Sequence, residues 1–130
     1  MNTVKCEEFE VRFSWDGDVL VARVEGPHDS FHISLEYWKE IARERVRVGA
    51  RRVLVLENLE ETGEPEMVLE LTEHLVSLDF QGAKVAFVDR VDFHREEQEQ
   101  IILIARERGI QAGVFSDEQQ AMTWLRHGED

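Results

Sequence analysis

Apolar and polar residues alternate near the start of the chain. Phe9, Val11 and Phe13 stand against Glu10, Arg12 and Ser14. A period of two marks a strand with one face buried. Asp16-Gly17-Asp18 follows as a turn signal, and then the run Val19-Leu20-Val21-Ala22-Arg23-Val24. Two such runs around Asp-Gly predict a β-hairpin. Gly26-Pro27 ends it, and Asp29 or Ser30 can cap a helix. Leu35, Trp38, Ala42 and Val46 then recur at intervals of three and four, a helical stripe that stops near Gly49.

Arg52 to Leu56 is a short, apolar, β-branched run and predicts a buried strand. Thr62-Gly63-Glu64-Pro65 opens a second helix, whose apolar face is Val68, Leu71, Leu75 and Leu78. Gln81-Gly82 breaks it, and Val85 to Val88 is another buried strand. Asp92 can cap a third helix, with Glu96 and Glu97 in its first turn and Arg106 and Arg108 near its end. That polarity suits the helix dipole. Gly109 closes this helix, and Gln111 to Phe115 is the last strand. Ser116 and Gln119 fit a capping box for a final helix that buries Ala121, Trp124 and Leu125.

The predicted order is ββαβαβαβα. Strands alternating with helices imply an α/β fold, with a mixed, mostly parallel sheet flanked by helices. The opening hairpin adds antiparallel character at one side. Near-continuous apolar strands are expected where helices cover a sheet. Ile-Ala-Arg-Glu-Arg occurs at Ile41–Arg45 and again at Ile104–Arg108, but the flanks do not match. A shared way of ending a helix explains it better than a structural repeat.

The 130 residues suit a single domain. At this size a chain buries roughly 65–70% of its unfolded surface, enough for a core without staples. Hydrophobic residues are 42% and charged residues 33%, which excludes a disordered tail. The net charge is −13 and the pI about 4.8. That excess repels phosphate backbones and anionic lipid surfaces, so neither nucleic acid nor a membrane is expected as partner. Cys6 is the one cysteine. It cannot form an internal disulfide, and it fits a reducing compartment. Met1 to Glu10 carries Glu7, Glu8 and Glu10 and no apolar run after a basic start, unlike a signal peptide. The longest wholly apolar run, Ile101 to Ala105, is far short of a membrane span. These features together predict a cytoplasmic protein.

In a parallel sheet, ligands sit beyond the carboxyl ends of the strands. Three predicted loops lie there: Glu57 to Gly63, Asp89 to His94, and Ser116-Asp117. They hold the candidate interaction or ligand residues Asn58, Glu60, Glu61, Gly63, Asp89, Asp92 and His94. A divalent ion could draw on Asp89, Asp92 and His94, with Glu57 joining them, if three or four converged. No closed ligand spacing is present, and Asp92 is also the natural helix cap, so no metal or other cofactor is assigned. His28 and His32 are four apart, but Gly26-Pro27 places His28 before the helix. Cys6 sits among acids that raise a thiol pKa, which argues against a nucleophile. No glycine-rich phosphate loop occurs. Glu60 and Glu61 are adjacent, and a solvated turn suits them better than an acid–base pair. His74 reads as a surface or boundary residue. Thr62 has two readings. Its hydroxyl can cap the second helix, or it can be a phosphoacceptor at a helix start. Glu60, Glu61 and Glu64 would oppose a phosphoryl group, which favours the cap.

Ile101-Ile102-Leu103-Ile104-Ala105 wraps beyond a single helical stripe. Burial on both sides is the default expectation, with a homodimer or an apolar ligand groove as the alternative. Tyr37-Trp38 raises the same question, since neighbouring residues are not expected to share the core face.

Three segments carry a family resemblance. They are Arg52-Val53-Leu54-Val55-Leu56-Glu57, Lys84-Val85-Ala86-Phe87-Val88-Asp89, and the closing Phe115-Ser116-Asp117-Glu118-Gln119-Gln120-Ala121-Met122-Thr123-Trp124-Leu125. With the element order, they resemble the STAS-like, SpoIIAA-like family, which belongs with the STAS and Sec14-type domains. The likeness spans nearly the whole chain. In STAS anti-sigma-factor antagonists the loop after the central strand ends in Asp-Ser-Ser-Gly, and a serine there is phosphorylated. The matching stretch here is Glu61-Thr62-Gly63, with acid, hydroxyl and glycine in place and the serine pair absent. The resemblance implies a bacterial, cytoplasmic, non-enzymatic regulatory module that binds a protein partner, with Thr62 as the candidate phosphoacceptor. The Sec14 side implies an alternative, a carrier or sensor of a small apolar ligand such as a lipid. A metal-dependent enzyme using Asp89, Asp92 and His94 is the third reading.

Overall fold

The computed structural model describes residues 2–5, 8–26, 31–59, 70, 72–74, 78–88 and 95–127. Six strands form one sheet: β1 (Asn2–Lys5), β2 (Glu10–Asp16), β3 (Val19–Gly26), β4 (Arg52–Leu59), β5 (Lys84–Val88) and β6 (Gln111–Phe115). Their spatial order is β1-β2-β3-β4-β5-β6. The first three are antiparallel, and β3 to β6 run parallel. The helices are α1 (Phe31–Val48), α2 (Arg95–Glu107) and α3 (Glu118–His127). Glu70 and residues 72–74 are also helical, inside the span predicted for a helix between β4 and β5. The α/β fold with a mixed, mostly parallel sheet is as expected from the sequence.

β1 is an addition to the five strands expected. It is four residues long with one aliphatic side chain, Val4, so it carries no periodic signal. Pairing with β2, from Asn2↔Phe13 to Lys5↔Glu10, is what makes it a strand. The hairpin between β2 and β3 turns over Gly17-Asp18, with Asp16 facing Val19. Gly17 has φ 63°, the left-handed conformation that this first turn position demands.

The parallel strands follow one another in a single direction across the sheet. Right-handed crossovers then place their connections on one face. Packed on that face are α1, α2, Leu78 and Phe80, over Val11, Phe13, Leu20, Ala22, Val24, Val53, Val55 and Val85. α3 follows the last strand and is not a crossover, so it can close the opposite face. There Ala121 and Leu125 cover Val19, Val21, Leu54, Leu56 and Ala86. Val53 to Leu56 is buried throughout because β4 is covered on both sides. The second face of β2 stays polar, with Glu10, Arg12, Ser14 and Asp16 facing outward. Arg12 pairs with Glu10 at 3.2 Å and with Glu25.

The α1 stripe is wider than predicted. Its core residues are Ser34, Tyr37, Trp38, Ile41 and Ala42, so Tyr37 and Trp38 are both buried. Adjacent residues lie about 100° apart around a helix, and a stripe that wide accommodates both. Leu35 is half-buried, and Val46 is exposed. Trp38 joins the layers, with ring centres 5.7 Å from Phe80 and 5.6 Å from Phe87. In α2, Ile101 and Ala105 are buried, Ile102 and Ile104 are half-buried, and Leu103 is 55% exposed. Two-sided burial of this helix is therefore not what the fold adopts.

Helix ends are set by identifiable groups. Gly49 and Gly109, both with positive φ, close α1 and α2. In each case the next residue bonds back into the last turn: Ala50 N–H to Arg45 O, and Ile110 N–H to Ala105 O, both at 3.0 Å. The cap of α3 is Asp117, not Ser116. Its Oδ1 accepts from Gln119 N–H at 2.7 Å and Gln120 N–H at 3.1 Å. The helix begins at Glu118, so the capping position falls one residue later than the predicted box. Trp124, expected in the core, is half-buried. At the other end of α3, the Lys84 ammonium donates to Trp124 O at 2.9 Å and sits 4.6 Å from the Trp124 ring centre. A cation there offsets the negative end of the helix.

Candidate functional site

β3 to β6 are parallel, so their carboxyl ends lie on one side of the sheet. The register sets Val24 beside Glu57, Glu25 beside Asn58 and Gly26 beside Leu59, with Leu56 beside Val88 and Val88 beside Phe115. β4 thus runs three residues beyond Leu56. Glu57 and Asn58, expected in the loop, belong to the strand because β3 continues beside them.

Their side chains point to opposite faces, as successive residues of a strand must. Glu57 faces the helical layer and is 7% exposed. The hydroxyl of Tyr37, itself fully buried, donates to Glu57 Oε2 at 2.6 Å. The contact joins α1 to the end of β4 and turns Glu57 away from the face that Asn58 shares. Asn58 is exposed beside Glu25 of β3. Phe9 lies edge-on to Tyr37 at 6.2 Å, and Trp38 stacks on it at 6.1 Å, so the phenol is held from both sides. Sequence reasoning missed the Tyr37–Glu57 pair. The signal available was the odd Tyr37-Trp38 adjacency, which pointed to a wide stripe with one polar tip inside it.

The other candidates, Glu60, Glu61, Thr62, Gly63, Asp89, Asp92 and His94, lie outside the described residues, as do Cys6 and His28. Among the described residues, no three His, Cys, Asp or Glu side chains are grouped so as to hold a metal ion. His32 and His74 are exposed, and the His74 ring nitrogen Nδ1 is 3.0 Å from Glu70 O. No described helix is long and apolar enough to cross a membrane. Two open hollows lie along α3. One is lined by Asp117, Gln119, Gln120, Thr123, Trp124 and His127. The other is lined by Asp16, Asp117, Glu118, Gln119 and Met122. Both are mostly exposed polar residues with no convergent catalytic set. No family model and no curated protein matches this chain.

Proposed function

We propose that this chain is a non-enzymatic, regulatory protein-interaction module of the STAS-like type. It would work through the segment Asn58 to Gly63 at the carboxyl end of β4. The observation that supports this most is the contrast at that strand end. Glu57 is buried and bonded to Tyr37, and the neighbouring Asn58 is exposed on a fixed backbone. A strand end paired into the sheet that presents a polar residue is suited to recognition, because a backbone already ordered loses little entropy on binding. The net charge of −13 favours a partner with a basic face. Thr62, in the segment that follows, is the residue at which a phosphoryl group would alter such a surface.

The test is binding of the native partner by the full chain and by Asn58→Ala and Glu61→Lys. Both variants should keep the wild-type circular dichroism spectrum and lose at least about tenfold in affinity, the effect of removing one well-placed interface contact. If neither change moves the affinity, the surface is misassigned. A lipid that copurifies stoichiometrically would favour the carrier reading instead.

A further inference from the structure

The chain is strongly charged, but the charge is not evenly spread. Its two longest uncharged runs are Gly109–Ser116 and Gln119–Leu125, and Gln100–Ala105 is also free of charge. The fold brings all three together. They are β6, the α3 helix beside it on one face and the α2 helix on the other. From Gln100 to Leu125 there are two cations and three anions, a net of −1 in a chain whose total is −13.

β6 is also an edge of the sheet: its one strand neighbour among the described residues is β5. An edge strand presents a row of backbone N–H and C=O groups, and proteins normally guard it with charge, proline or a bulge. β1, at the opposite edge, has Lys5, which reaches Glu10 at 3.9 Å. β6 reads Gln111-Ala112-Gly113-Val114-Phe115 and has no such guard. Ala112, Val114 and Phe115 are half-buried, and Leu103 is exposed on the helix that packs against β6. Gly113 is buried beneath the Phe115 ring, which packs on Trp124 at 5.4 Å between ring centres. The edge strand therefore carries no charged side chain and lies beside uncharged stretches of both helices.

We propose that a second copy of this chain pairs with β6, antiparallel across a two-fold axis, joining two sheets into one. A two-fold contact lays a surface against itself. Where the surface carries the chain's excess of acidic charge, such a contact sets like charge near like charge. An uncharged strand edge avoids this, and its donors and acceptors complement their own reversed image.

Sedimentation of the full chain at micromolar concentration should give twice the 15.2 kDa chain mass. Amide exchange along β6 should slow in the dimer and speed up on dilution to monomer. Val114→Lys should raise the dimer dissociation constant by about a hundredfold with the fold retained, because the two-fold sets like charges close together. Gln111→Lys, at a half-exposed position, is the second variant should Val114→Lys fail to fold. A chain that stays monomeric overturns the proposal. So does a dimer with β6 amides that exchange as an open edge, or one that survives a folded lysine variant.

Discussion

Tyr37 and Glu57 meet where α1 crosses the end of β4, and their 2.6 Å bond is made wholly inside the protein. A buried polar group costs free energy when its partner is removed. Tyr37→Phe keeps the ring and deletes the donor, so it should lower stability by about 1–3 kcal/mol in urea unfolding. An unchanged midpoint would show that the bond contributes nothing. Glycines set two other local limits. Gly17 has φ 63°, and a Cβ there would also lie 3.2 Å from Arg126 Nη2, the group that bonds to Asp16 Oδ1 at 2.7 Å. The Arg126 side chain can shift, but the backbone strain remains, so Gly17→Ala should cost about 1–2 kcal/mol. Gly113 is limited by space instead. A Cβ there would lie 2.7 Å from the Phe115 ring and 3.3 Å from Trp124. Gly113→Ala should cost about 1–3 kcal/mol by overpacking, and it should change the Trp124 fluorescence as the rings move. The Asp16-Gly17-Asp18 turn was legible in the sequence because its signal is local. The demand at Gly113 was not, because the Phe115 ring lies over it only where Trp124 of α3 packs against that ring in the folded chain.

At the scale of elements, the strands and helices with strong periodic signals lie where the pattern puts them. β3, β4, β5, β6 and the ends of α1 and α2 follow from apolar runs and from Gly49 and Gly109. The departures share a cause, which is tertiary contact. β1 has too few apolar residues to be seen alone and forms by pairing with β2. β4 continues through Glu57 and Asn58 because β3 runs alongside. The α1 stripe is centred on Ser34, Tyr37 and Ile41 rather than on Leu35 and Val46, because the sheet and Phe80 take a wide arc of it. α3, with 10 residues, is shorter than α1 and α2 and depends most on its ends. Asp117→Ala removes two hydrogen bonds to its first turn and should cost about 1 kcal/mol. Its effect should appear as faster amide exchange at Gln119 and Gln120. Equal exchange in both proteins would mean that another group caps the helix.

Across the whole molecule, the sheet separates two tasks. One face carries the larger core under α1, α2, Leu78 and Phe80, and the other carries a smaller core under α3. The α/β class was readable because alternating strands and helices admit few packings. The local geometry around the proposed site was not readable. Position at the carboxyl ends of parallel strands selected a region to propose, but it could not show that Asn58 stands on a strand or that Glu57 faces Tyr37. The acidic surface and the exposed end of β4 suit binding to a basic partner, and the uncharged edge at β6 suits a second copy of the chain. The two surfaces lie on different elements, so they can be tested separately. The most direct test of the interaction-module account is native mass spectrometry of complexes formed with the native partner by wild type, Asn58→Ala, Glu61→Lys and Val114→Lys. The account predicts that wild type and Val114→Lys retain the partner, while the folded Asn58 and Glu61 variants lose it. Retention of the partner by both of those variants would contradict it.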